Sequence, residues 1–193
     1  MILGLCGSPR AMTTEYVLRA ALGMLQEKGF ETIFLGVSGK KIGFCTHCDH
    51  CLKEAGCIID DDVQRLYPLL REAEALVIAT PVYNGGVTAQ IKAVMDRTRA
   101  LLAQDQDALR GKPGVAIAVG GDRVGGQELA LQQIQTFLTL NGAIPLSGGF
   151  FGANLGASLW SKDSMVGIKE DDEGMRSMRK TVNRLIEYMG EGA

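Results

Sequence analysis

The sequence predicts an α/β domain: a doubly wound, five-stranded parallel sheet with a cysteine-rich loop inserted after the second strand. Three observations carry this prediction. Short apolar runs alternate with stretches of helical periodicity along the chain. The apolar runs are near-continuous rather than alternating, the mark of strands buried on both faces of a parallel sheet. The alternation breaks once, over residues 38–59, where four cysteines fall in a connection too long for an ordinary turn. Right-handed crossovers then place helices on both faces of the sheet.

Residues 2–6 form the first strand, which stops at Gly7-Ser8-Pro9. Residues 13–28 have helical spacing, with Val17, Leu18, Ala21, Leu22 and Leu25 on one face. Thr13 or Thr14 is the expected N-cap. Gly29 ends that helix, and 31–37 reads as the second strand. A helix is expected from Asp61 to Ala73, with Asp60, Asp61 and Asp62 near its positive end. Residues 75–79 make the third strand, stopped by Thr80-Pro81, and a helix runs from Thr88 to Ala103. Lys112-Pro113-Gly114 leads into the fourth strand at 115–119, followed by a Gly-rich loop at 120–126 and a helix from Gln127 to Asn141. Residues 143–146, extended by 148–151, give the last strand; 152–162 reads as a loop, and a helix covers Glu173 to Met189. The chain therefore reads as one domain, 1–193, with the cysteine loop at 38–60 inside it and a loop and C-terminal helix over 152–193.

Composition narrows the function. The formal net charge of −2 creates no field favouring nucleic acid or an anionic membrane. The run Glu170-Asp171-Asp172-Glu173 is short enough to be a solvated loop. The N-terminus lacks the basic and long apolar segments of a signal peptide, and no apolar stretch reaches the ~18 residues that span a bilayer. A cytoplasmic location is expected, where disulfides are rare, with neither nucleic acid nor membrane as partner. The 25 glycines cluster at strand ends and loops, which suggests close approach of backbone to a ligand.

Cys45, Cys48, Cys51 and Cys57 fall within 13 residues and carry the strongest chemical signal. The first three have the spacing of the leading cysteines in bacterial ferredoxin runs, and the fourth is close enough for one loop to close one site. Soft, anionic thiolates suit iron and tolerate bridging sulfide. Structural zinc is the competing reading, although it usually takes two separated Cys-x-x-Cys pairs. A redox Cys-x-x-Cys would leave two cysteines unexplained. His47 and His50 lie in the loop as exposed residues or donors to sulfur. Cys6, in a strand, reads as a small core hydrophobe.

Three loops stand at strand ends, where doubly wound sheets bind ligands. Gly7-Ser8-Pro9-Arg10-Ala11-Met12-Thr13-Thr14 offers hydroxyls from Ser8, Thr13 and Thr14, the Arg10 fork and a helix N-terminus, all suited to phosphate. It is neither Gly-x-Gly-x-x-Gly nor a Walker loop, and an ordinary Ser/Thr helix cap is the alternative. Thr80-Pro81-Val82-Tyr83-Asn84-Gly85-Gly86 offers an aromatic face and glycine amides to a ring system, or simply a tight turn. In the third loop, Gly120, Gly121, Asp122, Arg123, Val124, Gly125 and Gly126, the glycines either contact ligand or only form turns. Agreement of the three at one sheet edge outweighs each alone.

On Gly7-Ser8-Pro9-Arg10, the run Cys45/Cys48/Cys51/Cys57 and Thr80-Pro81-Val82-Tyr83, the sequence resembles the iron–sulfur flavoprotein family, a branch of the flavodoxin-like NAD(P)H-dependent FMN reductases. The resemblance spans nearly the whole chain, and the cysteine run is its specific part. It implies a flavodoxin-like fold with FMN, its phosphate held by Ser8, Arg10, Thr13 and Thr14. It implies Pro81, Val82, Tyr83, Asn84, Gly85 and Gly86 around the isoalloxazine; Gly121 and Asp122 of the third loop are further cofactor-binding candidates from the loop's own position. It also implies a [4Fe–4S] cluster and a homodimer or homotetramer in which a cluster lies near a neighbour's flavin. Family phosphate loops continue after Pro-Arg with a polar stretch; Ala11-Met12 stands there instead, which leaves the register at Thr13 and Thr14 open by one position. Lys92-x-x-x-Asp96-Arg97 also resembles a stretch of these reductases, or is a surface i,i+4 ion pair.

The expected activity is electron transfer between a 4Fe–4S cluster and FMN. The donor is ferredoxin-like, and the acceptor a quinone, dioxygen, peroxide or a partner protein. No acid–base residue or nucleophile is expected, because the cofactors carry the chemistry. The alternative is an NAD(P)H-dependent FMN or quinone reductase whose cysteine loop binds zinc or is idle. A redox-sensing protein is a third reading.

Overall fold

The computed structural model describes residues 1–191; the last two positions of the C-terminal span read from the sequence lie outside them. Six strands form one sheet: β1 (Ile2–Cys6), β2 (Thr32–Gly36), β3 (Ala75–Pro81), β4 (Pro113–Gly120), β5 (Ile144–Leu146) and β6 (Ala157–Trp160). The order is β2-β1-β3-β4-β5 and every pairing is parallel. β1, β3 and β4 are buried at every position, as their unbroken apolar runs require.

Successive residues of each strand feed opposite faces. Leu3, Leu5, Leu76, Ile78, Ala116 and Ala118 pack on one side with helices α2 (Leu66–Glu72), α3 (Ala89–Arg97), α4 (Arg99–Leu102) and α5 (Gln127–Leu140). Ile2, Cys6, Val77, Ala79, Val115, Ile117 and Leu159 pack on the other with α1 (Thr13–Glu27) and α7 (Asp172–Glu191). A short helix, α6 (Met165–Lys169), precedes α7. Each of the two layers thus has its own core, with the sheet between them.

The structure departs from the sequence reading in four places. The fifth sheet position is split: β5 pairs with Pro113–Val115 of β4 and β6 with Ile117–Gly120, so residues 148–151, expected to extend the last strand, form no strand, and the segment read as a loop at 152–162 contains one. Only four residues long and set directly after Gly156, this strand carries too little pattern for a periodicity argument. The helix expected from Asp61 begins as a 3-10 turn at Asp62–Arg65, with the Asp61 carboxylate accepting from the Val63 amide. The helix expected over 88–103 is divided at Thr98 into α3 and α4. Neither Thr13 nor Thr14 caps α1: Met12 holds the N-cap position and supplies no side-chain bond.

Candidate functional site

The parallel register brings the ends of β1, β3 and β4 to one edge, with Cys6 beside Ala79 and Pro81 beside Val119. The loops that follow are physically joined. Thr88 caps α3 by accepting from the Ile91 amide, and its hydroxyl donates to the Gly7 carbonyl at 2.6 Å. A side chain at Gly7 would put its Cβ 2.7 Å from Ile91 Cβ, so the first loop needs glycine to lie against α3. At Gly126, where φ is +95°, an added Cβ would lie 2.8 Å from Gly85 Cα, which packs the second loop against the third.

In the first loop Ser8 is buried; its hydroxyl donates to the Arg10 carbonyl at 2.6 Å and accepts from the Arg10 amide. Arg10 is exposed, while Thr13 and Thr14 are buried in the first turn of α1. Because no side chain caps α1, its leading N–H groups remain available to an anion, the feature of this edge that best fits a phosphate.

In the second loop Pro81 is buried and Tyr83 is 41% exposed. Tyr83 and Gly86 exchange backbone hydrogen bonds of 3.0 and 3.1 Å, and Asn84 and Gly85 both have positive φ. This is the two-residue Asn-Gly turn that such a pair favours, and it projects the Tyr83 ring from the sheet edge. The third loop is shaped by Gln127, whose amide accepts from Gly125 N and donates to the Asp122 carbonyl. The Trp160 indole donates to the Gly121 carbonyl at 2.7 Å, and Asp122 is exposed. Thr88, Gln127 and Trp160 went unread in the sequence; only the Thr88 cap carried a local signal.

Cys45, Cys48, Cys51 and Cys57 line one small cavity together with Asp49, His50, Arg97 and Arg99. None is in a disulfide. Among the described residues, no group of three or more His, Cys, Asp or Glu side chains is drawn together as a metal site. His47 and Asp49 have positive φ, which turns the chain twice between Cys45 and Cys51, and a 3-10 turn follows at His50–Leu52.

The loop is held from outside. Arg97 Nη1 donates to the Asp61 carboxylate and to the Gly43 carbonyl (3.3 Å), and Nη2 donates to the Ile59 carbonyl at 3.1 Å. The Arg97 and Asp61 side chains are fully shielded from solvent. Asp61 also accepts from Gly43 N at 2.6 Å, so one ion pair ties the two arms of the loop together. Gln64 donates to the carbonyls of Cys57 and Ile59, Gln104 to that of Cys51, and Arg99 to the Asp49 carboxylate at 2.6 Å. In the stretch Lys92-x-x-x-Asp96-Arg97, Lys92 and Asp96 form an exposed i,i+4 pair while Arg97 is buried. Its spacing was the available signal, for Ile91, Val94 and Arg97 recur on the buried face of α3.

Such loops on a doubly wound sheet define a flavodoxin-like oxidoreductase scaffold. Residues 1–157 match the family model described as NADPH-dependent FMN reductase. The chain is 64% identical over 189 residues to an iron–sulfur flavoprotein of Archaeoglobus fulgidus, covering 98% of this chain and 97% of that one. It is 52% identical to iron–sulfur flavoprotein MJ0731 of Methanocaldococcus jannaschii, over 98% of this chain and 97% of that one. Among solved structures it is similar to an NADH:FMN oxidoreductase, with a TM-score of 0.67 and 21% identity over 95% of this chain and 88% of that one. RosB superposes with a TM-score of 0.73 at 18% identity, over 98% and 80%. The chain belongs to the NADPH-dependent FMN reductase family, in its iron–sulfur flavoprotein branch, and is a flavoprotein oxidoreductase. Among the described residues no helix is long and apolar enough to cross a membrane.

Proposed function

We propose that this protein is an electron-transfer flavoprotein that binds FMN at the joined loops and a 4Fe–4S cluster on Cys45, Cys48, Cys51 and Cys57. The observation that carries the reading is one cavity lined by four free cysteines, in a loop pinned by a buried ion pair. Its relatives bear the name iron–sulfur flavoprotein. When bound, a cluster exchanges single electrons and FMN one or two, so together they join a one-electron donor to a two-electron acceptor.

The chain's own residues bind and orient. The uncapped start of α1, with Ser8, Arg10, Thr13 and Thr14, serves the FMN phosphate. Pro81, Val82, Tyr83, Asn84, Gly85 and Gly86 border the ring, and Gly121 and Asp122 flank it. The donor is ferredoxin-like; the acceptor is a quinone, dioxygen, peroxide or a partner protein. Reduced thiols suit a cytoplasmic setting. A groove of about 910 Å³ between α3–α4 and α5 includes Leu52 of the cysteine loop and Gly85 of the second loop, with Leu129 and Leu140 exposed beside them. It supports a homodimer or homotetramer in which a second copy touches both regions.

The test is a visible spectrum with iron, sulfide and flavin assays on protein purified without oxygen. About four iron and four sulfide per FMN is the expected result for one cubane. A yellow protein with zinc or no metal would overturn it. The family description also favours NAD(P)H as reductant; faster flavin reduction by NAD(P)H than by reduced ferredoxin would support that second reading.

A further inference from the structure

Arg97 is the charged residue of α3 that the fold removes from water, and its bonding is incomplete. Its two terminal nitrogens are spent on Asp61, Gly43 and Ile59. Its Nε is buried and has no partner, the sole such side-chain atom among the described residues. A buried donor left unpaired is costly, which marks this nitrogen as free to meet a group the cavity holds. Arg97 lines the same cavity as the four cysteines. Arg99, in that cavity too, is partly exposed and committed to Asp49.

Resting on the cluster reading above, we infer that Arg97 is the positioning residue of the cysteine site. Its fork closes the loop at Gly43 and Ile59, and its guanidinium, one N–H of which has no partner, stands among the residues lining the sulfur-rich cavity. The chemistry is complementary. Four thiolates concentrate negative charge in a small volume, and hydrogen bonds and charges around sulfur set a cluster's reduction potential. Asp61 opposes this charge while holding the guanidinium in place, so the two members of the pair act on the potential in opposite senses. A lysine could keep the charge but could neither span both carbonyls nor present the Nε donor.

The experiment uses holoprotein prepared without oxygen, as wild type, Arg97→Lys, Arg97→Gln and Asp61→Asn. FMN content reports that the flavin loops have folded. The two readouts are the cluster's midpoint potential, from a redox titration followed by electron paramagnetic resonance, and the rate of iron release to a ferrous chelator. Arg97→Lys is expected to release iron about tenfold faster or more, in line with the loss of residues that orient metal ligands. Its potential falls below wild type, and that of Arg97→Gln falls further. Asp61→Asn moves the potential upward. Wild-type potential and iron release in both Arg97 variants, at full FMN content, would overturn the inference. So would a downward shift in Asp61→Asn, because a merely structural clamp has no reason to give opposite signs. A wild type containing FMN but no iron would overturn the cluster reading and this inference with it. A wild type with a full cluster and unaffected Arg97 variants would overturn the inference alone.

Discussion

The Thr88 hydroxyl donates to the Gly7 carbonyl at 2.6 Å, bonding two positions 81 residues apart. The same hydroxyl accepts from the Ile91 amide, and the Thr88 amide donates to Thr80 Oγ1. One buried side chain therefore caps α3 and ties the first loop to the second. Thr88→Val keeps the shape and removes the hydroxyl. It should cost about 1–3 kcal/mol. The melting temperature should drop by about 2–4 °C per kcal/mol for a chain of this size. FMN affinity, read by quenching of flavin fluorescence, should weaken as well. An unchanged melt and affinity would show that the tether contributes nothing.

Gly126→Ala tests the contact between the second and third loops. The added Cβ would sit 2.8 Å from Gly85 Cα at a φ of +95°. The opposing atom is backbone and the positive φ disfavours alanine, so neither the clash nor the strain can relax cheaply. The expected result is a destabilisation of about 1–3 kcal/mol with a larger loss of FMN affinity than Gly23→Ala, where an added Cβ meets nothing within 4 Å. Equal FMN affinities in the two variants would separate this contact from the flavin site.

The Asp61–Arg97 pair gives a pH dependence of defined sign. Burial works to raise the Asp61 carboxyl, but the Arg97 guanidinium and the amides of Gly43 and Val63 outweigh it and hold the group below its ordinary range. A lowered folded value means that the pair's contribution is present above the unfolded value of about 3.9. It is lost as pH falls through the folded value. Melting temperature should thus be insensitive to this group from neutrality down to about pH 4, then fall. In Asp61→Asn that acid-side slope should be reduced. At pH 7 the variant should be less stable by about 3 kcal/mol, since Arg97 stays buried without its counter-charge. Parallel wild-type and variant curves below pH 4 would contradict the assignment.

Burial also separates the five cysteines by reactivity. Cys6 is 2% exposed, and burial pushes its thiol up to about 11. In reduced, metal-stripped protein at neutral pH, an alkylating reagent should label the four cysteines of the loop and spare Cys6. Cys6 should react only on denaturation, as intact-mass measurements will show. Early labelling of Cys6 would mean that the β1 layer opens more readily than its packing implies.

Much of the fold was legible because its signals are local. The apolar runs of β1, β3 and β4 needed no partner to be recognised, and neither did the cysteine spacing or the Asn-Gly turn at 84–85. β6 was missed because four residues carry too little pattern, and its place beside β4 depends on β5 ending early. The stretch Lys92-x-x-x-Asp96-Arg97 reads by resemblance or as a surface i,i+4 pair, and neither reading gives Arg97 a role of its own, although it lies on the apolar face of α3.

The sequence by itself determined the alternation of the main strands and helices along the chain, the four-cysteine set and the three loops at strand ends, since each is a property of neighbouring residues. The tertiary structure alone decided that Gly7 and Gly126 serve loop packing, that Thr88 bridges two loops and that Arg97 pairs with Asp61 out of water. These are relationships between positions far apart in the chain. A close approach or a buried charge becomes favourable only when the fold supplies the opposing atom, and no local pattern records which atom that will be.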